Sequence, residues 1–496
     1  MHSGHQYASL VYDYFYLRFQ TRCYQYGDCL PTMEALCREF GVSRQTIKTA
    51  FRRLREEGYL TTMRGRPAKV AFQQTEQGAK DFIARCYARR WAAFPDLFAS
   101  GGRIINPLLA EGLRRMDDRE LDTAVRLAEQ ADGDSYIRFY CFALQKMENP
   151  LALNLFWEAS LFEGFPFAQA YFQLGNGSGR FIQERLQALT ACLKARAWAE
   201  LDRLLGAFYD SVLEGVAAFL EPQLRPAPPE GQLPFVWRIY RERPQRCYSL
   251  AEALLHDIYF GAYRGTGLLP SYDTLAETYG ASVSALRSAV GLLNKAGAAE
   301  TINGLGTRAF ALNEPCQPPD FTCPAIRRIL AYFYQALELI AYSCQEVLRE
   351  TLQSATEGQK AGLIAWLEED APGRGGISLW ALLLFIARHS PFMGVREIYG
   401  KLYGLLLWGY PLKASLKATP ALDLSIGRFT QAILGHLKAG EAAPCAAAMR
   451  AFVSQQAPLL ETYLLSQGFT PSELRGSPSI RLLITEGGSA PAAPAE

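Results

Sequence analysis

Histidine is the scarcest reactive group in this chain, with five among 496 residues. After His2 and His5 no imidazole occurs until His256, and only His389 and His436 follow. Residues 76–222 therefore offer no histidine to a metal or to general-base chemistry. The eleven cysteines form no C-x-x-C pair and no ligand-like cluster, which excludes a zinc ribbon and a disulfide framework by spacing and fits a reducing, intracellular setting. A one-signed charge is missing as well: 51 Lys+Arg against 49 Asp+Glu give +2. The longest purely apolar run, Leu379–Ala387, is far short of the ~20 residues of a membrane span. The stretch Tyr7–Phe19 is aromatic-rich, but Asp13 and Arg18 interrupt it, so no signal peptide is read there. No glycine-rich phosphate loop and no nucleophile–base set stands out, which argues against an enzyme.

What the chain does contain is one pattern written twice. Leu30-Pro31-Thr32 is followed by Leu36, Gly41-Val42-Ser43-Arg44-Gln45-Thr46, Ile47, Ala50, Phe51, Leu54, Gly58 and Gly65. A shift of 239 gives Leu269-Pro270-Ser271, Leu275, Gly280-Ala281-Ser282-Val283-Ser284-Ala285, Leu286, Ala289, Val290, Leu293, Gly297 and Gly304. The register holds without a gap, and it predicts a tandem duplication.

The first copy reads as a winged helix-turn-helix. Pro31 and Thr32 suit a helix start with Thr32 as N-cap, running to about Phe40. Gly41 breaks it and Ser43 caps the next helix. There Ile47, Ala50, Phe51 and Leu54 fall at i, i+3, i+4 and i+7, one buried face. Arg44, Gln45, Lys48, Arg52 and Arg55 are left outside. Gly58 ends the helix. Tyr59–Thr62 and Lys69–Phe72 read as short strands around a Met63–Ala68 wing.

A recognition helix presents its N-terminal residues to base edges in the major groove. Arg44 there can bond guanine in bidentate fashion and Gln45 can pair with adenine. Ser43, Thr46 and the helix N-terminus can hold a phosphate. Lys48 and Arg52 are placed for further phosphates, and Arg64, Gly65 and Arg66 form a basic wing tip. Residues 1–72 hold 11 Lys+Arg and 6 Asp+Glu, a net of +5. In the second copy Arg44 becomes Val283, Thr46 becomes Ala285, Arg52 and Arg53 become Gly291 and Leu292, and Arg64 becomes Asn303. Ser282, Ser284, Arg287 and Gly304 remain as a weak contact set. Residues 240–312 hold 7 Lys+Arg and 6 Asp+Glu, a net of +1. The apolar face is kept and the arginines are not.

Between and after the two copies the chain reads as helical, with Pro107–Gln130, Tyr136–Met147, Leu151–Phe172 and Phe181–Leu220 in one block. The other block contains Ile326–Ser354, Leu379–Arg388, Val395–Trp408 and Leu424–Leu465. Leu193-Lys194-Ala195 and Leu437-Lys438-Ala439 echo each other, each placed midway along a helical stretch. The expected architecture is mainly α, in six parts. Residues 1–73 are a winged helix-turn-helix DNA-binding domain, and 76–222 a helical effector-like domain. A proline-rich linker occupies 223–234. A second, degenerate winged helix-turn-helix spans 235–312, and a second helical effector-like domain spans 325–483. A low-complexity tail, 485–496, ends the chain.

The string Leu30–Val70 resembles the N-terminal domain of the GntR family of bacterial transcriptional regulators. The wing Arg64-Gly65-Arg66-Pro67-Ala68-Lys69-Val70 is most similar to the FadR-type branch, whose effector domains are all-helical. The resemblance implies DNA contacts for Ser43, Arg44, Thr46, Lys48 and Gly65, and a cytoplasmic regulator, bound to the bacterial nucleoid when on its site. It departs from the family where an arginine of the first motif helix falls at Glu34. Many members of the branch hold a divalent metal through one Asp and three His, but the matching places two of those ligand positions at Thr430 and Phe452, so no metal is expected. His389 and His436 then read as ordinary helix residues. The aromatic interior of the first block (Phe139, Phe142, Phe156, Trp157, Phe162, Phe165, Phe167, Tyr171, Phe172) reads as core, with an apolar pocket for an unidentified small organic effector as the alternative.

The expected partner is a double-stranded DNA operator, bound as a repressor-type regulator by a homodimer or by an intramolecular pseudo-dimer. Homodimers of this kind set half-sites ~34–36 Å apart. The competing reading is a ligand-binding or scaffold protein with vestigial heads. Arg44 and the basic wing weigh against it.

Overall fold

The computed structural model describes residues 4–40, 42–63, 65–129, 135–164, 178–220, 224–239, 245–312, 314, 316–370, 377–416 and 420–475. It is mainly helical, and the chain divides into two compact units at Val236/Trp237.

The first unit opens with a winged head. Helix α1 (Gly4–Gln20) is followed by α2 (Met33–Phe40), a tight turn, α3 (Arg44–Glu56) and the antiparallel pair β1 (Leu60–Thr61) and β2 (Lys69–Val70). Thr32 caps α2 by accepting from the Ala35 N–H at 3.2 Å. The face of α3 that packs inward is the one its spacing predicts: Ile47, Ala50, Phe51 and Leu54 are all buried. They meet an aromatic stripe on α1, where Phe15 sits edge-on to Phe51 with ring centres 5.3 Å apart and also touches Phe40. The strands are shorter than Tyr59–Thr62 and Lys69–Phe72, although Ala71 N still bonds Tyr59 O at 2.9 Å just beyond them.

Seven helices of the described residues follow in this unit: α4 (Glu76–Ala88), α5 (Phe94–Arg114), α6 (Asp118–Glu129), α7 (Ser135–Gln145), α8 (Pro150–Phe162), α9 (Ser178–Ala195) and α10 (Trp198–Leu220). Ile83, Tyr87, Phe94, Phe98, Val216, Leu220 and Leu224 form one core cluster. The head joins this block through Tyr16 against Phe82 and through a Gln74–Gln20 side-chain bond of 3.0 Å.

The structure differs from the sequence expectations in several places. Pro107 does not open a helix; it lies inside α5, whose first turn instead holds Pro95, and the chain breaks at residues 115–117 before α6. Phe181–Leu220 is two helices, as is Leu424–Leu465. The echoed Leu-Lys-Ala motifs lie at helix ends rather than midway. Arg196 adopts φ 50° and Gly440 φ 72°, and the bonds Arg196 N→Leu193 O and Ala197 N→Cys192 O match Gly440 N→Leu437 O and Glu441 N→His436 O. Both are left-handed Schellman ends. The proline-rich segment, expected as a linker, is fastened to the first block. The Gln232 amide donates to the Ala88 and Ala227 carbonyls and its oxygen accepts from the Ala92 N–H, while Leu233 N bonds Arg89 O. Proline carries no N–H, so the segment is held by its few non-proline donors. The expected helix Leu151–Phe172 lies partly, and the expected tail wholly, outside the described residues; α8 itself ends at Phe162.

The second unit begins with α11 (Gln245–Tyr259), α12 (Tyr272–Thr278), α13 (Val283–Ala296) and the hairpin β3 (Ala299–Ile302) to β4 (Gly306–Ala309). Its backbone bonds reproduce those of the head at the constant shift of 239. Leu30 N→Ala68 O corresponds to Leu269 N→Thr307 O, and Val70 N→Asp28 O to Ala309 N→Gly267 O. Tyr59 N→Leu54 O corresponds to Ala298 N→Leu293 O, and the bridge Cys29–Lys69 to Leu268–Arg308. Gly58 and Gly297 end their helices at φ 82° and 79°, the region glycine enters without a Cβ clash.

The remainder of the unit is α14 (Pro324–Ser354), α15 (Glu357–Asp370), α16 (Ser378–His389), α17 (Met393–Leu407), α18 (Gly409–Ser415), α19 (Pro420–Lys438), α20 (Ala442–Ser466) and α21 (Pro471–Arg475). Helix α14 lies along α20, and α16 pairs with α17. Helix α11 is fastened to this block by His256 Nδ1 to Tyr403 Oη at 2.6 Å and by Tyr259 and Phe260 against Tyr410. Among the described residues no helix is long and apolar enough to cross a membrane.

Candidate nucleic-acid interface

Ser43 builds the start of the outer face of α3. Its backbone is extended (φ −67°, ψ 153°) and its hydroxyl accepts from the Thr46 N–H at 3.2 Å. Capping satisfies one of the orphan donors of the first turn and leaves others pointing outward, where an anion can be held. With the apolar face turned to α1, Arg44, Gln45, Lys48 and Arg52 are all exposed. Gln45, Lys48 and Arg52 line a groove of about 360 Å³ together with Met33, Thr49, Phe51, Arg55 and Thr62. The sequence reading missed Met33, Thr49 and Thr62 in this groove. They come from α2, from the flank of α3 and from the foot of the wing, and only the fold brings them together. The wing adds Gly65 at φ 75° and Arg66, both exposed; Arg64 lies outside the described residues.

Thr46 corrects the reading. It is only 4% exposed, and its hydroxyl is within 2.9 Å of Ser43 Oγ. It stands one position too far toward the core to present its side chain to a phosphate, and it supports the cap instead. The arginines of α3 also divide in a way the sequence did not reveal. Arg53 lies over the Tyr12 ring at 3.7 Å and donates to Glu57 at 2.9 Å, and the Tyr12 hydroxyl donates to the same carboxylate. The Tyr12 hydrogen bond above all, with the Arg53 bond and charge, holds Glu57 below the usual carboxylate range, against the opposing effect of burial. Arg53 thus ties α3 to α1, and the i,i+4 spacing to Glu57 was the available signal. Arg44 has a partner too: its Nη1 stands 3.4 Å from Glu34 Oε1 in the first turn of α2, with both side chains about two-thirds exposed.

The corresponding face at 283–304 is different. Ser282 caps α13, accepting from the Ala285 N–H at 3.2 Å, and Ser284 is exposed. Arg287 is exposed with its guanidinium 5.6 Å from the Tyr272 ring centre. Gly304 sits at the hairpin tip at φ 76°, beside a 61% exposed Leu305. Val283, Ala285 and Gly291 bring no donors to this face.

In the second helical block, the Thr430 hydroxyl lies 2.6 Å from Ser378 Oγ and donates to the Ile426 carbonyl, while Phe452 stacks on Phe429 at 4.1 Å. Neither position has a metal donor. His389 packs against Phe385, and His436 Nδ1 is 2.8 Å from Glu441 Oε2. Burial, then Arg388 and Arg396, lowers the His389 pKa. Among the described residues no group of three His, Cys, Asp or Glu is gathered. In the first block Phe139, Phe142, Phe156 and Trp157 are buried, and Phe162 faces Phe235. Phe165, Phe167, Tyr171 and Phe172 lie outside the described residues.

Residues 11–70 match the family described as bacterial regulatory proteins, gntR family. The N-terminal head is accordingly a GntR-type winged helix-turn-helix. Among solved structures, a Streptococcus agalactiae GntR protein aligns at 17% identity over 43% of this chain and 99% of that chain, with a TM-score of 0.19. No curated protein matches.

Proposed function

We propose that this chain is a sequence-specific, DNA-binding regulator of transcription that reads double-stranded DNA through α3 and the wing of its N-terminal head. One observation carries the reading. In a head of the GntR type, the face of α3 turned away from the core is populated by Arg44, Gln45, Lys48 and Arg52, and all four are exposed. Ser43, Gly65, Arg64 and Arg66 complete the proposed contact set. Thr46 acts through its backbone and its bond to Ser43.

The same proposal extends along the chain. Residues 235–312 are a second winged head, of common origin with the first, which has kept its backbone bonds and lost its arginines. It contributes little to readout through Ser282, Ser284, Arg287 and Gly304. Residues 76–222 and 325–483 are effector-like or dimerising helical domains of the FadR-like kind, each following its head. Two chains, or the two halves of one chain, set the spacing on DNA. A small organic effector is the proposed ligand of the helical blocks.

Selection of bound sequences from a random DNA pool tests this directly and reports the symmetry of the site. On the selected duplex Arg44→Ala should cost about 1–3 kcal/mol and relax the preference at one base pair. Unchanged binding would remove α3 as the recognition helix. A full-length Arg44→Ala/Lys48→Ala/Arg52→Ala variant should lose sequence-selective protection. Retained selective binding would assign readout to residues 235–312.

A further inference from the structure

Helix α20 presents a face that the reading head does not use. Among its 25 residues the charged side chains are Arg450 and Glu461. Both are engaged: Arg450 donates to the Gln345 amide oxygen at 3.0 Å, and Glu461 accepts two bonds from Arg475. The buried stripe of the helix runs through Cys445, Met449, Val453 and Ala457. Away from it Ala443, Ala447, Ala451, Gln455 and Leu459 form one i, i+4 row, every member exposed and Leu459 by 62%. An outward helix face ordinarily carries charge. The helix that follows the matching left-handed end in the first block obeys that rule. Its first turns expose Glu200, Asp202 and Arg203, where α20 exposes Ala443, Pro444 and Ala447.

The shape of the row names its partner. A surface without charge is cheap to desolvate, and interface cores are depleted of charge. The row is small from Ala443 to Ala451 and bulky at Leu459. Two such rows laid antiparallel about a two-fold axis at Gln455 put the leucine end of each on the alanine end of the other. Leu459 then stands opposite Ala451 twice over, and the two Gln455 amides, each both donor and acceptor, can bond across the axis. The charged start of α10 does not complement the row in this way, so the match lies on a second copy rather than on the other block of the same chain. From Ala443 to Leu465 the helix is about 33 Å long and about 12 Å wide, which gives roughly 400 Å² per copy and roughly 800 Å² in all. Stable complexes bury about 1,200–2,000 Å². The contact is thus that of a weak, concentration-dependent dimer, which a DNA molecule carrying two adjacent sites holds together by raising the effective concentration.

We propose that the Ala443–Leu459 row of α20 is a self-pairing surface through which two copies of this chain associate antiparallel. The proposal deepens, and rests on, the pairing of two chains given above; association is measured without DNA, so the two can fail separately.

Sedimentation velocity of the full-length chain across the micromolar range tests it, and the wild type should pass from monomer to dimer there. Gln455→Glu keeps the shape and sets two carboxylates against each other at the axis, so association near neutral pH should weaken at least about tenfold. Ala451→Glu and Leu459→Lys should each weaken association too. Mixing those two chains should restore dimer beyond either alone, because the introduced carboxylate of one faces the introduced ammonium of the other while the second Ala451–Leu459 contact stays native. All three positions are exposed, and far-UV circular dichroism checks that each variant remains helical. A wild-type chain that stays monomeric, a dimer indifferent to Gln455→Glu, or a mixture no more dimeric than its components would each overturn the proposal. A chain that dimerises and responds as expected but protects a single DNA half-site leaves this surface standing and removes the two-chain reading of DNA.

Discussion

Ser43 and Ser282 cap equivalent helix starts with equal geometry, and their removal should nonetheless have unequal consequences. Each hydroxyl accepts from the N–H three residues on at 3.2 Å. Losing a serine cap costs ~1 kcal/mol. At Ser282 nothing further follows, because residue 285 is alanine. At Ser43 the buried Thr46 hydroxyl, within 2.9 Å of Ser43 Oγ, loses that partner as well. An orphaned buried polar group costs a further ~1–3 kcal/mol. Ser43→Ala should therefore destabilise the first turn of α3 by about 2–4 kcal/mol and Ser282→Ala that of α13 by about 1 kcal/mol. Hydrogen exchange followed by mass spectrometry on peptides spanning 43–51 and 282–290 separates the two. Protection should fall about thirtyfold or more in the first and about fivefold in the second. Global melting is the wrong probe for a chain of two units. Equal losses at the two sites would refute the role given to Thr46.

Three more outcomes are expected. Lys48→Ala should weaken binding to all DNA sequences alike and lower the salt slope by about one, as read in titrations at several ionic strengths. Gly297→Ala should destabilise its helix end more than Gly58→Ala: both glycines have positive φ, but only at Gly297 would the new Cβ meet a backbone oxygen, that of Gln317, at 2.2 Å. Urea titration with exchange readout of each segment compares them, and equal effects would count against that close approach. Glu473 is held down to about 2, first by the Arg327 guanidinium and then by the Thr470 N–H. A depressed carboxyl stabilises the folded state above its unfolded value, 4.5, and the contribution is lost as pH falls toward 2. Pepsin cleavage within 467–475 should thus rise between pH 4.5 and 2, and Arg327→Ala should shift that rise to higher pH.

The sequence was most legible where one residue fixes one local geometry. Thr32, Ser43 and Gly58 marked helix ends because capping and positive φ depend on the residue itself, and the i, i+3, i+4, i+7 stripe of α3 named its buried face. Reading failed where the deciding partner lies elsewhere in the chain. Nothing local to Thr46 shows that it is buried. Nothing in the proline-rich segment shows that Gln232 finds the Ala88 carbonyl. The break at Arg196 is hidden in the sequence because an arginine is an unusual left-handed residue, whereas Gly440 is the residue such an end favours. On the outer face of α3 the sequence listed the basic residues correctly. It could not tell that Arg53 is spent on Tyr12 and Glu57, or that Arg44 stands against Glu34.

The constant register of backbone bonds from 267 to 309 has a consequence for how this molecule can change. Those bonds are made by main-chain atoms, the core beneath them is an inward apolar stripe, and the outer face takes little part in either. Substitutions on such a face usually move stability by no more than about 0.5 kcal/mol. The scaffold is therefore tolerant where a reader would be exacting. Exposed positions such as 284, 287 and 303 form a writable surface, on which charge can be added or removed without rebuilding what lies beneath.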